Sequence, residues 1–335
     1  MKIKRMPKRQ MHGGIIRKLR KQKSRNGILD FSASMNPFPP HVEWRPEDCD
    51  LGDYPDDTYS DLKEAIGSVY SRDPDEITVG NGSVELIRIF AQVMAPPGTT
   101  AFIERSTFGE YAQSVRLAGG SVTDNPHERV NIRYLCNPNN PTGTLLTKHV
   151  IVNLLDTCRE EGSSLFLDEA FIDLSDPKES LVNHRDPDLF ILRSLTKAFS
   201  VPGIRFGFGF GDPELIEAIE LTRPPWTVNR YAEIYTIEAI RHIPDLEESR
   251  RKIAIERDFL TKSIRSIGLA PHSSSANYIL IDAGMNSSDL TSALLNEGIL
   301  VRDCRSFGLP ESIRVAVRSH EENRILIEAL SICAP

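Results

Sequence analysis

Ser194-Leu195-Thr196-Lys197-Ala198-Phe199-Ser200-Val201-Pro202-Gly203-Ile204-Arg205 lies between two apolar runs, Leu189-Phe190-Ile191-Leu192 before it and Phe206-Gly207-Phe208-Gly209-Phe210 after it. The first run reads as a buried strand, and the stretch itself as a short polar bend. A lysine suspended there is rarely placed for packing alone. Burial disfavours an ammonium, so such a lysine loses proton affinity. A neutral amine can then attack a carbonyl and form a Schiff base. Ser194, Thr196 and Arg205 offer two hydroxyls and a guanidinium to an anion. An aldehyde that also carries a phosphate would use both features, and pyridoxal phosphate is such a compound. Taken alone, the segment reads equally well as a surface lysine in a turn.

Working outward, strands alternate with helical stretches from about residue 75 to residue 210. That is the pattern of a mainly parallel sheet with helices on both faces. Ile77-Thr78-Val79 leads into Gly80-Asn81-Gly82-Ser83 and a helix from Val84 to Met94, an anion seat made of free backbone N–H groups and a helix start. Phe108 follows the strand Thr99 to Ile103. The strand Ile132 to Cys136 ends in Asn137-Pro138-Asn139-Asn140-Pro141-Thr142-Gly143, where two X-Pro bonds stiffen the loop and hold the Asn140 amide in one direction. Ser164 to Leu167 ends in Asp168-Glu169-Ala170-Phe171. A carboxylate at the end of a buried strand needs a partner or loses its charge; a salt bridge or a protonated pyridine nitrogen would serve. In such sheets ligands gather beyond the carboxyl ends of the strands. Gly82, Asn140, Asp168 and Lys197 all fall there, and the shared location says more than any one motif.

The flanks differ. His12-Gly13-Gly14 sits in a basic arm, where a histidine beside two glycines could meet a phosphate or simply mark a hinge. A short strand over Ile28 to Ala33 precedes Ser34-Met35-Asn36-Pro37, in which proline holds Asn36 in an extended turn. Residues 41–60 form a polar loop containing Tyr54. Beyond Trp226 the chain becomes long, helical and charged to Ile267, with an interruption at Pro244, and then builds a smaller α/β unit. Arg302 and Arg314 lie in its strands, where each guanidinium calls for an anion, either a protein carboxylate or a ligand. The expected division is an arm and part of the small domain in 1–45, a large domain in 46–230 and a small domain in 231–335.

Composition narrows the class. With 335 residues, 40% hydrophobic and 26% charged, the chain is an ordinary soluble globular protein of two domains. No apolar stretch is long enough to span a bilayer, and no signal peptide is visible. Five scattered cysteines without CxxC spacing argue against a disulfide frame or a zinc site and for a reducing, cytoplasmic setting. The net charge of −7 hides a basic arm: residues 1–25 hold eleven Lys/Arg and no acid, which leaves 29 basic against 47 acidic residues elsewhere. No recognisable nucleic-acid-binding module follows that arm. A regulator that combines an aminotransferase-like domain with a DNA-binding one would need a separate helix-turn-helix domain, for which the arm is too short.

Assembled, GNGS (80–83), STFGEY (106–111), NPNNPTG (137–143), DEAF (168–171), SLTKAFSVPGIRFG (194–207) and IRVAV (313–317) resemble, in order and over nearly the whole chain, the fold-type I pyridoxal-phosphate enzymes of the aspartate aminotransferase superfamily. The resemblance is closest to the branch that holds histidinol-phosphate aminotransferases and threonine-phosphate decarboxylases. It implies a large domain with a mainly parallel, seven-stranded-type sheet plus a smaller C-terminal α/β domain. It implies pyridoxal 5'-phosphate as cofactor, with Lys197 its covalent anchor and Asp168 paired with the ring nitrogen. Asn140 would bond the ring hydroxyl oxygen and Phe108 would stack on the ring. Gly82, Ser83, Ser194, Thr196 and Arg205 would hold the phosphate. Tyr54 would reach the neighbouring subunit's cofactor, which makes the enzyme a homodimer with shared sites. Arg302 and Arg314 would bind the substrate's anions, with His12, Gly13, Asn36 and Asn140 beside them. One position departs: after Asp-Glu-Ala the aminotransferases usually carry tyrosine, and here stands Phe171. The decarboxylase branch is similar at that point and at the His12-Gly13-Gly14 arm. The resemblance therefore leans to decarboxylation of L-threonine O-3-phosphate to (R)-1-amino-2-propanol O-2-phosphate, for the nucleotide loop of cobalamin, with histidinol-phosphate transamination as the alternative.

Overall fold

A computed structural model describes residues 10, 13, 14 and 27–334. The expectations on His12 and on most of the basic arm fall outside the described residues.

Seven strands form the central sheet: β2 (Ile77–Gly80), β3 (Thr100–Ile103), β4 (Ser121–Thr123), β5 (Ile132–Cys136), β6 (Ser164–Asp168), β7 (Leu189–Arg193) and β8 (Gly207–Phe210); β1 (Leu29–Asp30) lies elsewhere. The order is β2-β8-β7-β6-β5-β3-β4. Only β8 runs against the rest, pairing antiparallel with both β2 and β7. A parallel strand is covered by helices on both faces, which is why β5 and β7 are buried along their whole length. The side chains alternate between two cores. Leu165 and Leu167 pack into a core with Ile151, Leu155 and Leu62. Phe166 points the other way, into a core with Phe90, Phe190 and Ile216. The seven-stranded, mostly parallel sheet is the fold that the motifs implied.

The second unit is an antiparallel sheet, β12-β13-β10-β9, from β9 (Ala270–Pro271), β10 (Tyr278–Asp282), β12 (Arg302–Asp303) and β13 (Ser312–Ala316). β11 (Ile299–Leu300) pairs with β1, so the chain around residue 29 joins the C-terminal unit. Two expected strands are shorter than their apolar runs suggest. The run Ile28 to Ala33 is a strand only at Leu29–Asp30, because the Asp30 carboxylate accepts from the Ser32 amide at 2.8 Å and turns the chain. The run Ile299 to Arg302 splits between two sheets at Val301. The lysine segment is also sharper than a bend: Leu195–Ala198 is one helical turn, anchored by buried Leu195 and Ala198. The interruption at Pro244 is present, between a 3-10 turn at Ile240–His242 and the helix Leu246–Ser266. Among the described residues no helix is long and apolar enough to cross a membrane.

Candidate active site

Because β2, β5, β6 and β7 are parallel, their carboxyl ends share one edge, and antiparallel β8 begins at that same edge. A cleft of about 520 Å3 opens there. Lys197, Asp168, Asn140, Gly82, Ser83, Thr196, Phe108, Phe171, Arg205, Arg302 and Arg314 all line it.

Lys197 sits on the helical turn after β7. Burial pushes its ammonium down to about 8, and the guanidinium charges of Arg314 and Arg205 push the same way. Asp168 opposes them. The Phe171 ring centroid lies 6.0 Å from Lys197 Nζ. The amine therefore reaches its neutral, nucleophilic form near physiological pH.

Asp168 ends β6 and is 4% exposed. Burial raises its carboxyl to about 6, against hydrogen bonds from Tyr111 and the Ala170 amide that lower it. The Tyr111 hydroxyl donates to Oδ2 at 2.6 Å and the Ala170 N–H to Oδ1 at 2.8 Å. Both donors are neutral. A carboxylate placed so deep with neutral donors suits a cationic partner such as a pyridinium N–H. Tyr111 was quoted within STFGEY but given no role. Its signal is the spacing of three from Phe108, which sets both rings on one side of the turn, 5.6 Å apart and edge to face.

The anion seat forms where β2 turns into the helix Ser83–Met94. Gly82 has φ +84°, and a Cβ there would strike the Arg205 guanidinium. Only glycine lets that cation close on the helix start. Arg205 Nη1 is held by the Pro202 carbonyl at 3.0 Å. The Ser194 and Thr196 hydroxyls lie 2.9 Å apart beside it. Helix start, guanidinium and the Thr196 hydroxyl together match a phosphate.

Asn140 Oδ1 accepts from Arg314 Nη1, and Arg314 Nη2 donates to the Ser32 carbonyl at 2.9 Å. Arginine only donates, so the Asn140 amide is oriented with Nδ2 as its remaining donor. Arg302 and Arg314 are Cα partners across β12 and β13, so two guanidiniums stand side by side. Arg302 Nη2 donates to Ser306 Oγ at 2.6 Å and its Cζ lies 5.2 Å from the Phe307 ring centroid. Arg318, unmentioned by the sequence reading, also lines the cleft and donates to the Asp30 carbonyl at 3.0 Å.

Two expected residues, Asn36 and Ser194, stand outside the cleft, and Tyr54, expected at the partner's site, lies outside this one. Asn36 is 1% exposed and does not line the cleft. Its Nδ2 donates to the Ala198 carbonyl at 2.7 Å and Ser249 Oγ at 3.1 Å, its Oδ1 accepts from the Phe38 amide at 2.9 Å, and its own amide donates to the Lys197 carbonyl at 3.0 Å. Both ends of the side chain are used, so Asn36 holds the lysine turn rather than a substrate. Ser194 is buried beneath the seat, its hydroxyl on Thr196. Tyr54 is 81% exposed, outside the cleft and against Trp226, with ring centroids 4.8 Å apart. Gly13 and Gly14 do reach the cleft, where the Gly14 amide donates to Ser32 Oγ at 3.1 Å.

A lowered lysine, a buried acceptor for a cationic ring nitrogen and a phosphate seat on one sheet edge define a pyridoxal-phosphate-dependent enzyme. Residues 46–330 match the model of the aminotransferase class I and II family, and the chain belongs to that family. Its cofactor is pyridoxal phosphate. A histidinol-phosphate aminotransferase of Ruminiclostridium cellulolyticum is 32% identical over 91% of this chain and 92% of its own. A protein of Caldanaerobacter subterraneus subsp. tengcongensis, described provisionally as a threonine-phosphate decarboxylase, is 35% identical over 89% of this chain and 88% of its own. The structure of histidinol-phosphate aminotransferase from Sinorhizobium meliloti in complex with pyridoxal-5'-phosphate matches in fold, with a TM-score of 0.85 at 22% identity over 95% of this chain and 93% of that one.

Proposed function

We propose that the chain decarboxylates L-threonine O-3-phosphate, giving (R)-1-amino-2-propanol O-2-phosphate and carbon dioxide, in the assembly of cobalamin. The observation that carries this reading is the registered pair Arg302 and Arg314 at the cleft. Arg314 is 6% exposed, and its hydrogen-bond partners are the neutral oxygens of Asn140 and Ser32. Two adjacent cations suit a substrate with two anionic ends. Threonine phosphate answers both with its carboxylate and phosphate; histidinol phosphate answers one, although the 2-oxoglutarate of a transamination also carries two anions, so the pair favours decarboxylation only together with Phe171. Phe171 adds support. The phenol hydroxyls of Tyr111 and Tyr278 are committed to Asp168 and to the Asn139 carbonyl, so neither stands in for the hydroxyl that position 171 lacks.

Bound pyridoxal phosphate supplies an electron sink for the pair released at the substrate's Cα. The protein's residues do the rest. Arg302 and Arg314 would bind carboxylate and phosphate and orient the substrate's Cα. Asp168 keeps a proton on the ring nitrogen facing it. The Cα–carboxylate bond breaks, and Lys197 Nζ delivers a proton to Cα in its place. No oxidant is needed. Phe108 would pack on the ring and Asn140 Nδ2 would donate to its hydroxyl oxygen.

The active unit in this reading is a homodimer in which Tyr54 reaches the partner's site. Its support is the exposed aromatic pair Tyr54 and Trp226, 81% and 47% exposed with ring centroids 4.8 Å apart. Residues 46–230 hold the cofactor, and 231–335 with part of 1–45 form the smaller domain. Five free cysteines agree with a reducing, cytoplasmic setting.

The second reading, histidinol-phosphate aminotransferase, is favoured by the name that most of the similar proteins carry. One experiment separates the two: the purified protein with pyridoxal phosphate is mixed with L-threonine O-3-phosphate and released carbon dioxide is followed. No release, together with 2-oxoglutarate-dependent turnover of histidinol phosphate, overturns the decarboxylase.

A further inference from the structure

Across the sheet from Asp168 lies a buried cluster that the chemistry above does not use. Arg193 heads the largest fully buried side chains of the protein. Its Nη1 donates to Glu169 Oε2 at 3.0 Å and Ser180 Oγ at 3.2 Å. Its Nη2 donates to Asp173 Oδ1 at 2.5 Å and the Tyr70 hydroxyl at 3.2 Å. Glu169 also accepts from Ser180 Oγ at 2.5 Å and the Leu181 amide at 2.8 Å. Glu169, Asp173 and Arg193 are 0%, 3% and 1% exposed. Arg250, from the helix Leu246–Ser266, adds a bond to the Asp173 carbonyl at 3.1 Å.

Three buried charges are a poor stability device. Well-packed apolar residues of similar volume usually do as well or better. What a forked guanidinium provides is geometry. Its location gives that geometry a use. Asp168 and Leu192 are the last ladder partners of β6 and β7. Glu169 and Arg193 come one residue later, on the opposite face from Asp168, with the Glu169 amide on the Leu192 carbonyl at 2.8 Å. There the two chains diverge. One becomes the turn that carries Ala170, whose N–H holds Asp168, and Phe171, which faces Lys197. The other leads through Ser194 to Lys197 itself.

We infer that Arg193 is a positioning residue for the cofactor chemistry: one nitrogen grips Glu169 and the other Asp173, which fixes the Asp168 carboxylate and the Lys197 amine relative to each other. It touches neither the cleft nor any substrate. The inference holds whether the enzyme decarboxylates or transaminates, since both need that spacing.

The test uses Arg193→Lys, which keeps the charge but not the fork, beside Asp173→Asn and Arg193→Met. The first readout is hydrogen exchange over residues 168–174 in the cofactor-free protein. Exchange there is expected to quicken about tenfold in Arg193→Lys while the central strands keep their protection. The second is the visible circular dichroism of the cofactor-loaded protein, which reports how the ring is held and is expected to weaken. The third is turnover, expected to fall about ten- to a hundredfold in kcat with KM nearly unchanged. Asp173→Asn is expected to move all three in the same direction by less. If Arg193→Met does not fold, the other two variants decide. Lowered melting temperatures with unchanged exchange, unchanged visible dichroism and unchanged kcat in those two would reduce Arg193 to a structural part and overturn the inference.

Discussion

The Tyr111 hydroxyl donates to Asp168 Oδ2 at 2.6 Å, with the tyrosine 1% and the aspartate 4% exposed. That bond is the one side-chain hydrogen bond among the influences that hold the Asp168 carboxyl down against burial. Tyr111→Phe removes it without changing the ring. A lost buried hydrogen bond to a charged group costs about 1.5–3 kcal/mol. Cofactor affinity is therefore expected to fall roughly ten- to a hundredfold, measured by equilibrium dialysis of pyridoxal phosphate. Unchanged affinity would show that Asp168 is held by Ala170 alone.

The cofactor-free protein is expected to bind pyridoxal phosphate faster as pH rises through about 8, where Lys197 gives up its proton. Stopped-flow rates across pH 6 to 10 check this. After burial, Arg314 is the largest cause of the lowered value. Arg314→Gln should accordingly move the midpoint upward, and an unmoved midpoint would contradict the assignment.

Protein stability carries the same signature with a definite sign. Lys197 is lowered from its ordinary 10.5 to about 8 on folding. Between those values the unfolded chain holds the proton and the folded chain does not, so this lysine makes the cofactor-free fold more stable as pH rises through that window. Asp168, raised from 3.8 to about 6, works oppositely: the folded chain holds the extra proton, and stability falls as pH rises through that range. Urea titrations of wild type against Lys197→Met and Asp168→Asn isolate each slope.

Gly82→Ala is expected to weaken cofactor binding. The position has φ +84°, and the added Cβ meets the Arg205 guanidinium. Backbone strain of this kind costs about 1–3 kcal/mol. The variant should lose affinity for pyridoxal phosphate by more than for pyridoxal, which lacks the group that the seat holds. Equal losses for both would place the damage outside the seat.

Asn36→Ala should lower the melting temperature and kcat and leave KM for substrate unchanged. It strands the Ala198 carbonyl and the Phe38 amide, at about 1–3 kcal/mol for each buried group left unpaired. A raised KM with normal stability would return Asn36 to the substrate.

The parallel sheet and the buried lysine turn were legible because their signals are local: an apolar run, a turn, one polar residue at a strand end. Asn140, Asp168 and Gly82 were legible for the same reason. Asn36 misled because a proline-stiffened turn next to a glycine-bearing arm looks like a ligand loop. Its real partners, Ala198 and Ser249, lie far along the chain. Tyr111 and Arg193 went unassigned because their partners lie on other segments of the chain, and pairing across strands has no fixed spacing in sequence. Phe171 was noticed only as a departure. Its neighbour Tyr278, with ring centroids 5.0 Å apart, comes from β10, far along the chain.

The reversed strand β8 has a consequence for assembly. Lys197 and Arg205 sit on the single connection between β7 and β8, so a hairpin of neighbouring residues brings together the cleft lysine and half of the anion seat. The other half, Gly82 and Ser83, arrives only when β2, more distant in sequence, docks along the free edge of β8. Pairing so remote in sequence is a slow step in folding. A phosphate compound that bridges both halves fastens that last strand, and at a hundredfold excess over its Kd it adds about 2.7 kcal/mol to the finished fold. The vitamin would in that way act first as a clasp for its own enzyme.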